Sequence, residues 1–149
     1  MRILGVDYGS KRVGLSMSDP SGTIASPWGI RHRVSASQDS EFFRDLVRNH
    51  QLARIIVGLP RHLDGTEGDK AHEARRYGAW LAAELGLPVE FRDERFTTAE
   101  AETHLRRSGT RRKSRKKRRD MLAAQIMLQS YLDAESLEAV AAVEDAEAV

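Results

Sequence analysis

Hydrophobic and polar positions divide the chain into short elements. Residues 2–7 (RILGVD) form an apolar run of strand length, followed by the turn-former Gly9. Residues 12–19 (RVGLSMSD) alternate, with Val13, Leu15 and Met17 facing one way and Gly14, Ser16 and Ser18 the other. Joined through Tyr8-Gly9-Ser10-Lys11, the two runs predict an antiparallel hairpin. A third strand is predicted within residues 23–34, at an edge or bent, because Pro27 cannot donate to a ladder. Residues 41–51 show helical spacing, with Phe42, Phe43, Leu46 and Val47 on one face. Residues 53–59 (ARIIVGL) are continuously apolar, as a central parallel strand covered on both faces should be, and Pro60 stops them. A loop over 61–68 leads into a helix through Leu85, where Gly86 is a helix-ending residue. Residues 88–92 read as another strand, and Thr97 or Thr98 as the cap of a short helix through Arg107. The last helix is predicted to start near Arg119 or Asp120 and to bury Leu122, Ala123, Ile126, Met127 and Leu132. This order gives an α/β domain: a five-stranded mixed sheet, an antiparallel meander of three strands plus two parallel strands, with helices on both faces.

No internal repeat or linker divides the chain, so residues 1–133 are expected to form one domain. Residues 134–149 are an acidic, Ala/Glu-rich tail without a base, expected to be frayed or disordered. The absence of cysteine excludes a disulfide framework, a cysteine-based zinc site and a thiol nucleophile. No apolar run approaches the roughly 20 residues of a membrane span, and Met1 leads straight into a strand instead of a signal sequence. The chain is therefore expected to be soluble and cytoplasmic, with no membrane partner. Trp28 and Trp80 are expected in the core or half-buried, and His50 and His104 at the surface.

Charge changes the picture. Residues 106–119 hold ten of the 24 Lys and Arg residues and no acid, leaving 14 basic against 22 acidic residues elsewhere. An acidic body with one concentrated cationic segment suggests a polyanionic partner bound through phosphate contacts. Arg111, Arg112, Lys113, Arg115, Lys116, Lys117 and Arg118 of that segment are candidate nucleic-acid contacts, with Lys11, Arg12 and Arg95 beside the acids described next.

Three acidic positions stand at the ends of different elements. Asp7 closes an otherwise apolar strand, where an unpaired charge costs several kcal/mol in order-of-magnitude terms. Asp93 and Glu94 follow a strand at its carboxyl end, where open α/β sheets place their sites. Asp120 follows the cationic run. Converging at one sheet edge, such carboxylates can hold Mg²⁺ or Mn²⁺ through oxygen ligands. Two ions about 4 Å apart would activate water and stabilise the leaving oxygen of a phosphodiester. Each acid also has a structural reading: Asp7 as a turn former, Asp120 as an N-cap, Glu94 as a surface partner of Arg92 or Arg95. The turn Asp64-Gly65-Thr66-Glu67-Gly68 before a helix could hold a phosphate on backbone amides.

The blocks DYGSKRVGLSMSD, IIVGLPRHLDGTEG and DERFTTAEAE, and the basic stretch into DMLAAQIMLQSYLD, resemble the YqgF (RuvX) family over about residues 1–133. The resemblance implies an RNase H-like fold and a nuclease, described either as resolving Holliday junctions or as maturing pre-16S rRNA. By position it implies Asp7, Glu94 and Asp120 as catalytic and metal-holding carboxylates, Glu94 being preferred to Asp93 as the second. The chain departs from the family pattern at Arg119, where an apolar residue is usual, and at Phe96, where Leu is usual. The expected substrate is structured RNA or branched DNA, and the expected assembly a monomer or a homodimer, symmetric junction cleavage needing two active sites. Two other readings remain: a non-catalytic nucleic-acid-binding factor using the basic segment, and an actin-like ATPase suggested by Asp7-Tyr8-Gly9-Ser10. The second needs two such domains closing on a nucleotide, and 149 residues supply one.

Overall fold

In a computed structural model, which describes residues 1–95, 103, 106–107 and 112–147, the sheet has five strands. They are β1 (Arg2–Asp7), β2 (Arg12–Ser18), β3 (Ala25–His32), β4 (Leu52–Leu59) and β5 (Val89–Asp93), in spatial order β3-β2-β1-β4-β5. β1 pairs antiparallel with β2 and β2 with β3, whereas β1–β4 and β4–β5 are parallel. The expected mixed sheet is therefore present. β3 is one of the two edge strands, and its register against β2 shifts where Pro27 stands, because proline offers no amide to the ladder.

Helices α1 (Ala36–His50) and α2 (Asp69–Leu85) cover one face and α3 (Arg112–Glu147) the other. The strands show which residue faces which layer, since side chains alternate along a strand. Leu4 and Val6 of β1, with Ile55, Val57 and Leu59 of β4, join Phe43, Leu46, Tyr77 and Leu81 in the larger core. Ile3 and Ile56 point the other way, against Met127, Leu128, Tyr131 and Leu132 of α3. By the same parity Asp7 and Gly58 lie on the α3 face.

Three boundaries differ from the sequence reading. α1 starts at Ala36, not near Glu41, because Ser35 caps it by accepting from the Gln38 amide at 3.2 Å. The last helix starts at Arg112, not at Arg119 or Asp120, and runs on to Glu147 through the acidic tail. Asp120 therefore lies well inside the helix and is not its N-cap. Its buried residues are Ala123, Ala124, Met127, Leu128, Tyr131 and Leu132, while Leu122 and Ile126 are only half-buried. Gly86 ends α2 with a φ of 64°, as expected of a left-handed terminating residue. Trp80 is half-buried, but Trp28 is 41% exposed, its ring edge-on to Phe42 and His50. Thr97, Thr98, His104 and Arg111 lie outside the described residues, as does Phe96. No helix among the described residues is long and apolar enough to cross a membrane.

Gly14 sets the distance between α3 and the sheet. A Cβ there would stand 2.2 Å from the carbonyl oxygen of Asp120, far inside contact distance, so only glycine lets the helix lie this close. Gly14→Ala should destabilise the domain by at least about 2 kcal/mol, the helix having to lift off β2. Chemical denaturation measures this, and an unchanged midpoint would show that the approach is slack.

Candidate active site

Register alone brings the acids together. Asp7 pairs across β1–β2 with Gly14, the residue on which the Asp120 backbone rests. On the other side β4 runs parallel to β1 with Val57 opposite Val6, which places Gly58 beside Asp7. Glu94 follows β5, fixed by a hydrogen bond from its amide to the Leu59 carbonyl at 3.1 Å. Its side chain lies across the space a side chain on Gly58 would take: a Cβ there would be 2.3 Å from Glu94 Oε2. The three acids line one cleft of about 590 Å³, with Lys11, Arg12, Lys70 and Glu73 also in its wall.

Asp7 and Glu94 meet carboxyl to carboxyl and share a hydrogen bond. Burial is the main force on both. It pushes the Asp7 carboxyl up to about 6, the Glu94 hydrogen bond and the Arg119 charge opposing and the Asp120 charge reinforcing. Glu94 is only 7% exposed. Its burial, then the Asp7 charge and their hydrogen bond, hold it well above the ordinary carboxylate range. Burial and their mutual charge thus favour one shared proton on the pair. Glu94 Oε2 is buried without a hydrogen-bond partner among the described residues. The surface reading of Glu94 fails, since Arg95 is bound to Asp93 and Arg92 to Ser130.

Asp120 is held differently. Arg12 Nε donates to its Oδ2 at 2.6 Å, and Arg119 Nε stands 3.8 Å from Oδ1. Asp93 is turned away, accepting from the Arg95 amide at 3.0 Å and from Arg95 Nε at 2.8 Å. Between the two acids after β5, Glu94 is therefore the one facing the cleft. Among the candidate cations, Lys11 is exposed in the cleft wall. Arg12 is occupied by Asp120, and Arg95 by Asp93 and the Leu63 carbonyl. Arg118 is exposed, while the side chains of Arg112, Lys113, Arg115, Lys116 and Lys117 lie outside the described residues. Sequence reasoning missed Lys70 and Glu73. Both stand in the first turns of α2 just past the Asp64–Gly68 turn, and that turn was the available signal.

The donor set is all oxygen, which suits Mg²⁺ or Mn²⁺. Two of its members are a buried pair whose like charges cannot both be expressed without a cation, and one oxygen is unsatisfied. Among the described residues no three acids or histidines are grouped closely enough to hold an ion as they stand, and Arg12 engages the third carboxylate. The fit is a pair plus a carboxylate that Arg12 must release. Gly58→Ala should test the pair, since the added methyl displaces the Glu94 carboxylate. Cleavage should fall by about 10²-fold or more, with circular dichroism showing the fold retained. Full activity in a folded Gly58→Ala protein would remove Glu94 from the site.

A mixed five-stranded sheet with acids at adjoining strand ends and a helix laid across them is the RNase H-like arrangement found in nucleic-acid nucleases. The chain belongs to the RuvX family, whose model, described as "Holliday junction resolvase", matches residues 1–134. A relative from Rhodopirellula baltica is 42% identical over 133 residues, 89% of this chain and 77% of its own. One from Lactococcus lactis is 46% identical over 138 residues, 91% and 96%. Both bear the name "Putative pre-16S rRNA nuclease". Among solved structures, Thermus thermophilus RuvC is similar at a TM-score of 0.54 and 16% identity, covering 91% of this chain and 96% of its own. A fowlpox virus resolvase solved with Holliday junction DNA has a TM-score of 0.55 at 12% identity, covering 90% and 98%. At such identities these two share the fold.

Proposed function

We propose that this chain is a metal-dependent endonuclease that hydrolyses phosphodiester bonds of structured nucleic acid in the cytoplasm, acting in 5′-end maturation of pre-16S rRNA. The buried Asp7–Glu94 carboxyl pair carries this reading. It is costly for the fold, and Glu94 Oε2 finds no partner among the described residues, which is how a site waiting for a cation behaves. The names of relatives above 40% identity support the RNA substrate.

Asp7, Glu94 and Asp120 would hold Mg²⁺ or Mn²⁺. Bound there, such an ion would supply an activated water and charge for the leaving oxygen of a phosphodiester. The chain's own groups do the rest. Arg12 keeps Asp120 in the cleft before the ion arrives, at 2.6 Å. Lys11 and Lys70 place positive charge in the same wall, offsetting the substrate phosphates. Loss of the proton shared by Asp7 and Glu94 frees both carboxylates for coordination. The cationic segment before Asp120 would supply backbone contacts that position the strand without reading its sequence.

The second reading is Holliday junction resolution, favoured by the family description and by the fold shared with junction resolvases. It requires a homodimer, whereas RNA maturation proceeds with a monomer or a homodimer. The purified protein, with Mg²⁺ or Mn²⁺, should cut a pre-16S rRNA fragment at a defined position and leave a four-way DNA junction intact. Junction cleavage at symmetric positions without RNA cleavage would reverse the assignment.

A further inference from the structure

A second cleft, of about 530 Å³, adjoins the carboxylate cleft and shares Tyr8, Ser10 and Glu73 with it. Its wall is a run of rings leading away from the end of β1. The centroids of Tyr8 and Tyr77 are 5.3 Å apart and those of Tyr77 and Trp80 are 5.5 Å apart. Arg33 covers the run, its guanidinium 5.5 Å from the Tyr8 ring and 5.1 Å from the Tyr77 ring. Arg33 also donates to the Ser10 carbonyl at 3.1 Å and the Gly9 carbonyl at 3.4 Å. It is thereby tied to the turn that directly follows Asp7. Arg76 adds an exposed positive charge. Of the acids in the wall, Asp39 is matched by Arg31 at 3.1 Å and Glu73 accepts from the Tyr8 hydroxyl at 3.2 Å.

One feature of this cleft has no use in the fold. Tyr77 is 6% exposed, its ring beneath Arg33, and its hydroxyl is buried without a hydrogen-bond partner among the described residues. A buried hydroxyl normally finds a partner, and a polar ligand edge entering under Arg33 would provide one. The start of α1, at Ser35 and Ala36, also lines the cleft, its Gln38 amide already taken by the Ser35 cap.

Aromatic faces for a base, guanidinium groups for its phosphate and a polar hydroxyl beneath are the components of single-strand recognition. We infer that this cleft is a subsite for one unpaired nucleotide flanking the scissile bond, stacked against the half-buried Trp80 ring and held by Arg33 and Arg76. The inference rests on the nuclease reading and deepens it: the substrate carries an unpaired base next to the cut, and a fully paired duplex fills only the carboxylate cleft.

The two tryptophans make the test direct. In full-length Trp28→Phe protein, Trp80 is the sole tryptophan and reports on the cleft by fluorescence. Titrated in EDTA, so that nothing is cut, short single-stranded RNA and a duplex with an unpaired overhang should quench Trp80, whereas a blunt duplex and inorganic polyphosphate should not. Trp80→Leu, which keeps apolar packing, should bind the overhang substrate about tenfold more weakly. Arg76→Ala, at an exposed side chain, should weaken it several-fold and lower the salt dependence by about one counterion. Equal quenching by polyphosphate, no quenching by any RNA, or unchanged affinity in both variants would overturn the subsite. Asp7→Asn separates the two readings. If it still cleaves, the assignment of cleavage to the carboxylate site falls and the quenching result stands; if it is inactive and Trp80 is silent, only the subsite falls.

Discussion

Asp7→Asn should lower cleavage by about 10³-fold or more in saturating Mg²⁺ or Mn²⁺ and leave nucleic-acid affinity in EDTA nearly unchanged. Asparagine fills the same space, so packing against Gly14 and β2 survives, and the loss is confined to the charge. Asp7 lines the cleft at the end of β1, where a cation would meet it. Removing an ion's anchoring ligand forfeits several kcal/mol of transition-state stabilisation, and each 1.36 kcal/mol is a factor of ten in rate. Binding should persist because the cationic segment, Lys11 and Lys70 are untouched. Glu94→Gln should behave alike, while Asp93→Asn should cleave within a few-fold of wild type, since Asp93 is engaged by Arg95 outside the cleft. Full cleavage by Asp7→Asn would end the metal-site reading, and inactivity of Asp93→Asn with normal Glu94→Gln would move the second ligand by one residue.

The acids were legible because each breaks a local rule. A carboxylate closing RILGV and another just past β5 have no stabilising reason to be there. The pairing of strands was legible because alternation and continuous apolar runs differ in period. What escaped has physical causes. The first turn of α1 buries Asp39 and Ser40 rather than large apolar residues, so its hydrophobic period begins a turn late. The basic run has no apolar residue and the tail leaves Leu137, Val140 and Val143 exposed, yet Lys, Arg, Ala and Glu are all good helix formers, and α3 takes in both. The bond from Arg12 to Asp120 spans 108 positions and leaves no local trace. Gly14 and Gly58 read as ordinary strand glycines. Only the fold shows that one admits the Asp120 backbone and the other the Glu94 carboxylate.

Without metal, wild-type protein should lose stability relative to Asp7→Asn as pH rises from 4 to 8, and divalent cations should restore it. In the unfolded chain Asp7 gives up its proton near 3.8, and in the fold near 6. Between those values the native state binds more protons than the unfolded state, so stability falls as pH rises. The contribution is fully present below about 4 and lost above about 6, and Glu94, raised further, extends the loss upward. Two pH units correspond to roughly 2–3 kcal/mol, or several degrees of melting temperature for a domain of this size. Exposed carboxylates such as Asp19, held down to about 2 by the Ser21 hydroxyl, act in the opposite direction. The difference between wild type and Asp7→Asn removes that background. The two should melt together at pH 4 in EDTA, and the variant several degrees higher at pH 8. Adding Mg²⁺ or Mn²⁺ at about 100 times its dissociation constant should return about 2.7 kcal/mol to the wild type and little to the variant. A difference that stays flat from pH 4 to 8 and ignores the cation would mean that Asp7 and Glu94 are not a strained pair awaiting an ion.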